Sequence, residues 1–301
     1  MGIAGITIFC NERFRLDNWC EYYSMYRSAL DLHIIVNNGK REDSKLLRER
    51  FPDSVVLECD DSVMMRAYNV AYDYILQHSN IDAIVQIVND IKISAEGLCG
   101  LYKFLFSESK IGAVSPALLK KDSMLLQEYG SNINHRNLNF EHLDTNKHIE
   151  DIKELTREVY GLCGGIIMLK VEMYKKIGPQ DEVLYMYADE VDFGIRVYRS
   201  GYVLKTTKEI LSWHQHVNAP GNKLRSPRTA YFMGRNHIYL ARKHYGTYIL
   251  LNTIASRVID TILGYASCLI HNKAKEDWIY MHYFARGVIA GIFNNMDNNF
   301  K

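Results

Sequence analysis

Apolar and polar stretches alternate in blocks through the first ninety residues. IAGITIF (3–9) reads as a buried strand that ends at Cys10-Asn11-Glu12. Residues 16–30 then read as a helix. LHIIVNN (32–38) is a second apolar run, closed by the turn chemistry of an Asn-Gly pair. A short helix over 43–51 stops at Phe51-Pro52, and SVVLEC (54–59) is a third strand. Over 64–77, Ala67, Val70, Ala71, Tyr74 and Ile75 recur at helical spacing, and AIVQIV (83–88) is a fourth strand ending at Asn89-Asp90. Short strands alternating with helices predict βαβ units and a mostly parallel sheet. Ligands bind such sheets beyond the C-terminal strand ends, where Asn11, Asn37 and Asp90 all fall.

The middle of the chain is less regular. Residues 95–107 read as a helix and GAVSPALL (112–119) as a strand that leaves through Pro116. Residues 130–158 are polar and read as a long loop, the kind that is functional or mobile in a compact domain. Gly164-Gly165 leads into the strand IIMLK (166–170), a helix follows over 171–177, a second helix over 189–200 is capped by Gly201, and YVLKTT (202–207) is again a strand. Beyond Pro220 only helical patterns remain, at about 228–244, 247–270 and 275–293. The division expected from this is an α/β domain over 1–220 and a helical extension over 221–301.

Charge adds a second asymmetry. The 301 residues carry a net charge of +1, which argues against a nucleic-acid binder. From Ala219 onward, however, 11 Lys and Arg face 4 Asp and Glu, so that segment is +7 and the rest −6. A basic tail on an acidic front predicts two surfaces with different partners. The stretch 248–270 is apolar enough to suggest a membrane span, but Arg257 and Asp260 interrupt it, so an amphipathic helix on the protein or on a membrane surface is expected instead. The six cysteines lack metal or redox spacing, and the start of the chain lacks a basic leader, so reduced core cysteines in a cytosolic protein are expected.

Three clusters carry candidate chemistry. Asp90, at a strand end, is either a turn residue or a ligand that holds a divalent cation against a diphosphate. Asp189-Glu190-Val191-Asp192 opens a helix; the acids either complement its dipole or include a proton acceptor, because close like charges raise one another's pKa. Arg196, four residues past Asp192, lies on the same helical face. His214 and His216 are spaced to share one strand face, a metal signal that competes with a structural reading. Arg225, Arg228, Arg235 and Asn236 follow, either as a solvated basic face or as phosphate contacts.

These clusters occur in an order that resembles the inverting glycosyltransferases of family two, especially the rhamnosyl- and galactofuranosyltransferase-like branch of bacterial surface-polysaccharide synthesis. The resemblance runs from Ile3 to about Lys243. Asn11-Glu12, Val36-Asn37-Asn38-Gly39 with Asn37 in place of an Asp, and Arg66-Ala67-Tyr68-Asn69 are similar to the family's nucleotide-flanking segments. Asn89-Asp90-Ile91 resembles its metal motif with one carboxylate remaining, and Gly164-Gly165 its acceptor-side segment. Asp189-Glu190-Val191-Asp192-Phe193 followed by Arg196 and Gly201-Tyr202 resembles its acidic run, and Tyr231 with Arg235-Asn236 its Tyr-x-x-x-Arg-Asn signature.

The resemblance implies a GT-A fold, Rossmann-like and nucleotide-sugar-binding, and a metal-dependent transfer from a UDP- or dTDP-sugar. It implies Glu190 as base with Asp189 as the alternative, Asp192, Arg196 and Arg235 as positioning groups, and a Mn²⁺ or Mg²⁺ ion on Asp90 and His214, with His216 second. A glycan or polyprenyl-diphosphate-linked acceptor and a peripheral place on the inner face of the cell membrane are the expected partners, with a homo-oligomer as the other use of the helical tail. A non-catalytic glycan-binding scaffold is the rival reading. A sugar-phosphate nucleotidyltransferase is the weaker one, since residues 10–14 lack a Gly-rich phosphate loop.

Overall fold

The computed structural model describes residues 2–59, 63–77, 80–162, 164–215 and 226–297. The chain begins with three strand–helix steps and a fourth strand: β1 (Ile3–Phe9), α1 (Leu16–Tyr26), β2 (Leu32–Asn37), α2 (Asp43–Arg50), β3 (Val55–Glu58), α3 (Met64–Leu76) and β4 (Ala83–Ile87). It continues through β5 (Ile91–Lys92), α4 (Ala95–Leu105), β6 (Ile111–Lys120), β7 (Leu126–Glu128), β8 (Ser131–Ile133), β9 (Phe140–His142) and β10 (Thr156–Val159). Then come β11 (Ile166–Lys170), α5 (Val171–Ile177), α6 (Asp189–Arg199), β12 (Val203–His214), α7 (Pro227–His244), α8 (Thr247–Ile270) and α9 (Lys275–Ile292).

The chain folds as two compact units. The first takes Met1–Asn132, His142–Gln180 and Phe193–Val217; the second takes Ile133–Glu141, Asp181–Asp192 and Asn218–Lys301. The second therefore takes the acid-bearing segment Asp181–Asp192 and a short stretch of the middle as well as the C-terminal helices.

In the first unit the strands lie in the order β10-β12-β6-β11-β4-β1-β2-β3, with β5 on β12 and β7 on β6. The stretch β4-β1-β2-β3 is parallel, as the alternation predicts, while β11 runs antiparallel to both β4 and β6. Both faces are covered, which is why these strands read as unbroken apolar runs. Ile35, Val85 and Met168 point to one face with Trp19 and Phe51. Ile34, Val36, Ile84 and Leu169 point to the other with Ala71 and Tyr72.

Two expectations differ from the structure. β6 does not leave at Pro116 but continues to Lys120, and Pro116 stands opposite Thr207, where the register of β12 shifts before Leu211. A residue without an N–H is tolerated at such an irregularity. The polar segment 130–158 holds β8, β9 and β10, each of three or four residues, too short to show a period in sequence.

In the second unit α9 packs on α7 through glycines. A Cβ on Gly287 would come within 2.0 Å of the Tyr231 carbonyl oxygen, and one on Gly234 within 2.5 Å of that of Phe284. Around this contact Ala230, Ile238, Phe284 and Val288 form the core. Arg257, which argued against a membrane span, is 6% exposed, pairs with Asp260 at 3.0 Å and donates to the Asn139 side chain.

One buried group sets a pH dependence. His33 on β2 has its ring nitrogens 3.2 Å from Thr7 Oγ1 and 2.8 Å from Ser54 Oγ. Burial, assisted by the charge of Arg27, pushes the imidazole down to about 3. Only the unfolded chain then takes up a proton near the ordinary value of about 6.5. The stability this group contributes is complete above that pH and is lost as pH falls towards 3, by up to about 1.4 kcal/mol per unit. His33→Gln is expected to flatten this part of the acid-stability curve in urea titrations over a pH series; an unchanged slope would refute the assignment.

Candidate functional site

The ends of β1 and β4 carry one polar group, within the first unit. After β1 the chain enters Asn11 at φ 57°, a left-handed position that Asn tolerates. Asn11 Oδ1 accepts from Lys40 N at 2.9 Å, and a Cβ on Gly39 would lie 2.6 Å from that oxygen. The Asn11 and Asn37–Gly39 segments therefore do meet. Asn37 turns inward, donating to Lys40 O at 2.8 Å and Ser44 Oγ at 2.9 Å and accepting from Gly39 N at 3.1 Å. It shapes the loop.

Asp90 is 2% exposed at the end of the β4 turn. Arg15 Nη1 lies 2.9 Å from Asp90 Oδ2, 3.2 Å from Glu12 Oε1 and 3.1 Å from Asn89 Oδ1. Asn89 Nδ2 donates to Glu12 Oε2 at 2.5 Å. Burial pushes the Glu12 carboxyl up, against the opposing pull of Asn89 and Arg15. On the other side His214 Nε2 lies 3.1 Å from Asp90 Oδ1, and His214 Nδ1 lies 3.1 Å from Gln127 Oε1. The imidazole thus bridges the Gln127 amide and the Asp90 carboxylate, one ring nitrogen to each.

The backbone brings these residues together. Ile91 pairs with His214 between β5 and β12, and Gln215 N donates to Asp90 O at 2.8 Å. A Cβ on Gly165 would meet Ile91 Cδ1 at 2.7 Å, so that glycine allows the close packing beneath the site, whereas among the described residues no atom lies within 4 Å of a Cβ placed on Gly164.

Asp90 and His214 offer one oxygen and one nitrogen donor. Among the described residues no three His, Cys, Asp or Glu side chains gather as a metal site. The pair could supply two ligands to a divalent cation, and the imidazole would suit Mn²⁺ better than Mg²⁺. His216 and Arg225 lie outside the described residues.

Asn69 and Arg196 have structural tasks. Asn69 exchanges two hydrogen bonds with the Gln180 backbone, at 3.0 and 2.8 Å. Arg196 donates to Ile177 O, Gly178 O and Gln180 Oε1, each at 3.1 Å. Both tie down the segment that follows α5 in the first unit. Arg66 stays exposed on the first turn of α3.

The acidic run lies at the start of α6, in the second unit. Asp192 is buried at 0% exposure and its Oδ1 accepts from Lys243 Nζ at 2.7 Å and His244 Nε2 at 2.6 Å. Asp189 and Glu190 are half-buried. Burial, with the neighbouring charge of Asp192, pushes the Asp189 carboxyl up. A carboxyl so shifted suits proton transfer. Arg235 is fully buried and donates to Val183 O at 2.6 Å and to Met296 O and Asp297 O at 3.2 Å, so its contacts are with its own chain rather than with a solvent-facing cleft.

Sequence reasoning missed Arg15 and Gln127. Arg15 follows Glu12 by one helical turn, an i,i+3 pairing that was legible in principle; nothing local marks Gln127.

The fold is that of GT-A proteins, an α/β sheet with polar residues gathered at its strand ends. Among solved structures it is similar to the mannosyltransferase PcManGT from Pyrobaculum calidifontis, in complex with GDP-Man and Mn²⁺: TM-score 0.58, 13% identity, covering 97% of this chain and 87% of that one. It is also similar to GalNAc-T7 with UDP, GalNAc and Mn²⁺, at TM-score 0.56 and 10% identity, covering 80% of this chain and half, 50%, of that one's length. No family model and no curated protein sequence matches the chain.

Arg15 and Asp90 form a nearly buried pair, with side chains 12% and 3% exposed. Removing one partner of such a pair leaves an uncompensated charge. Arg15→Met is expected to destabilise the protein by up to about 3 kcal/mol, and Arg15→Met with Asp90→Asn to recover part of that loss in denaturant titrations. Equal stability of the single and double variants would show that the pair is not coupled.

Proposed function

We propose that the protein is an inverting, metal-dependent glycosyltransferase of family two, in the rhamnosyl- and galactofuranosyltransferase-like branch. It moves a sugar from a UDP- or dTDP-sugar to a hydroxyl of a glycan or polyprenyl-diphosphate-linked glycan in bacterial surface-polysaccharide synthesis. The observation that carries this reading is the Asp90–His214 pair at 3.1 Å on the strand ends of a GT-A fold. Both similar structures named above contain Mn²⁺ with a nucleotide or nucleotide-sugar.

Asp90 and His214 would hold the divalent cation, Mn²⁺ or Mg²⁺, which would supply neutralisation of charge on the diphosphate. Arg15 orients Asp90 through its 2.9 Å contact. Glu190, or Asp189 beside it, accepts the proton of the acceptor hydroxyl as that oxygen bonds to the anomeric carbon. The bond from that carbon to the diphosphate oxygen breaks on the opposite side, so configuration inverts. Asp192, buried against Lys243 and His244, anchors the run, and the other two acids stay half-open to solvent.

The acceptor reading is supported by α8. Tyr248, Leu251, Ile259, Ile262, Leu263 and Ile270 are each more than half exposed along one helical stripe. The helix is long and apolar enough to cross a membrane by length and composition, yet the Arg257–Asp260 pair sits within it. Lys273 and Lys275 are exposed just beyond its end. An apolar stripe beside exposed lysines suits the surface of an anionic bilayer, the cytoplasmic face in this reading. Arg242 and Lys243, basic in sequence, are used internally: Arg242 caps Gly291 O and Ile292 O, and Lys243 pairs with Asp181 and Asp192.

Glu190→Gln is expected to lower transfer by about 10²–10⁴-fold while calorimetric binding of UDP with Mn²⁺ is retained. Near-normal transfer in Glu190→Gln together with its loss in Asp189→Asn would move the base to Asp189. For the membrane, the full chain is expected to float with phosphatidylglycerol vesicles, and Ile259→Asp with Ile262→Asp to abolish flotation. Failure of the wild type to float, with a concentration-dependent dimer in its place, would assign the stripe to self-association.

A further inference from the structure

The segment that delivers the acids is strained in an unusual way. Tyr185, Tyr187 and Ala188 all have left-handed backbones, at φ 58°, 64° and 63°, immediately before Asp189. Residues 181–193 contain no glycine, the residue that takes this conformation at no steric cost. Each such position in another residue costs about 1–3 kcal/mol and persists only where its surroundings impose it.

One face of α7 imposes it. Asn236 is fully buried, and its Nδ2 donates to three carbonyls of the segment: Leu184 O and Met186 O at 2.9 Å and Tyr187 O at 2.8 Å. Arg235 Nε donates to Asn236 Oδ1 at 2.9 Å, which fixes which end of the amide faces the carbonyls, and Arg235 Nη2 holds Val183 O at 2.6 Å. Tyr185 stacks on Phe232 with centroids 4.9 Å apart, and Tyr187 OH meets Thr229 Oγ1 at 2.9 Å. Tyr239 OH and Lys243 Nζ take Asp181 Oδ2 at 2.7 and 2.6 Å, and Lys243 also takes Asp192. The contacts recur at 229, 232, 235–236, 239 and 243, a single helical stripe that grips the segment from end to end.

We infer that Asn236, oriented by Arg235, is a positioning residue for transfer: it holds the 183–188 backbone in its left-handed course and so sets where the first turn of α6 presents Asp189 and Glu190. This rests on the proposed reading of that acidic run. A turn that served only to reverse the chain would have no need of three strained non-glycine residues tied to a buried amide. Displacing a proton acceptor by about 1 Å is enough to cost on the order of 10²-fold in rate.

Two measurements separate the clamp from the chemistry. In Asn236→Ala, or in the milder Asn236→Ser if the first does not fold, hydrogen exchange of the 185–191 amides is expected to speed up by about tenfold or more, while β1 and β4 keep their protection. Nucleoside diphosphate release from dTDP-rhamnose or UDP-galactofuranose is expected to fall in kcat by about 10- to 100-fold, with affinity for UDP and Mn²⁺ held within about twofold. Adding Ala188→Gly, which takes the left-handed backbone without strain, should restore several-fold of the lost kcat. Unchanged exchange at 185–191 would overturn the clamp. Faster exchange with unchanged kcat, or a kcat loss matched by an equal loss of UDP affinity, would overturn the positioning role. A wild type inactive on every donor, with the exchange result intact, would count against the transferase reading and leave the clamp standing.

Discussion

A carboxylate buried at the end of a strand is tolerated only beside compensating charge, and Asp90 organises the first unit on that account. Its partners come from far along the chain. Arg15 arrives on the turn after β1, and His214 at the last residue of a twelve-residue strand. β12 reaches that length by running past its own irregularity between Thr207 and Leu211, and its final residues pair with the two-residue β5. The features that look incidental (the bulge, the continuation of β6 beyond Pro116, the tiny strand β5) serve the delivery of one imidazole to one carboxylate.

The second unit meets the same constraint differently. Asp192 is as deeply buried as Asp90, and a lysine and a histidine at the end of α7 compensate it. That pairing divides an acidic run into an anchor and two acids still half-open to solvent. Polar side chains then hold backbone against its preference: Asn236 and Arg235 bind carbonyls that a left-handed course would otherwise leave without helix or sheet partners. Both units use buried polar groups to fix geometry. This is the use for which such groups are worth their desolvation cost, provided each is satisfied.

Much of this was legible in the chain itself. β1 to β4 show as apolar runs because both sheet faces are covered, and helices α1, α3 and α7 to α9 show by period. Asp90, His214 and the 189–192 acids stand out as chemistry at element ends. The ribbons within 130–158 were not legible, since strands of three residues carry no period. Nor were the tasks of Asn37, Asn69, Arg196 and Arg235. Their residue types announce hydrogen bonding, but their partners are backbone atoms, which every residue has and no sequence distinguishes.

What the sequence by itself determined is the alternation of strands and helices and the placement of acids and histidines at their ends. Both follow from local polarity, which each short window of chain records. The tertiary structure alone decided that Asp90 meets Arg15 and His214, that Asp192 is buried against Lys243 while Asp189 and Glu190 keep part of their surface in solvent, and that Asn236 grips the segment before them. Those are choices among distant partners. They depend on register, crossing and burial, which emerge only when the elements pack.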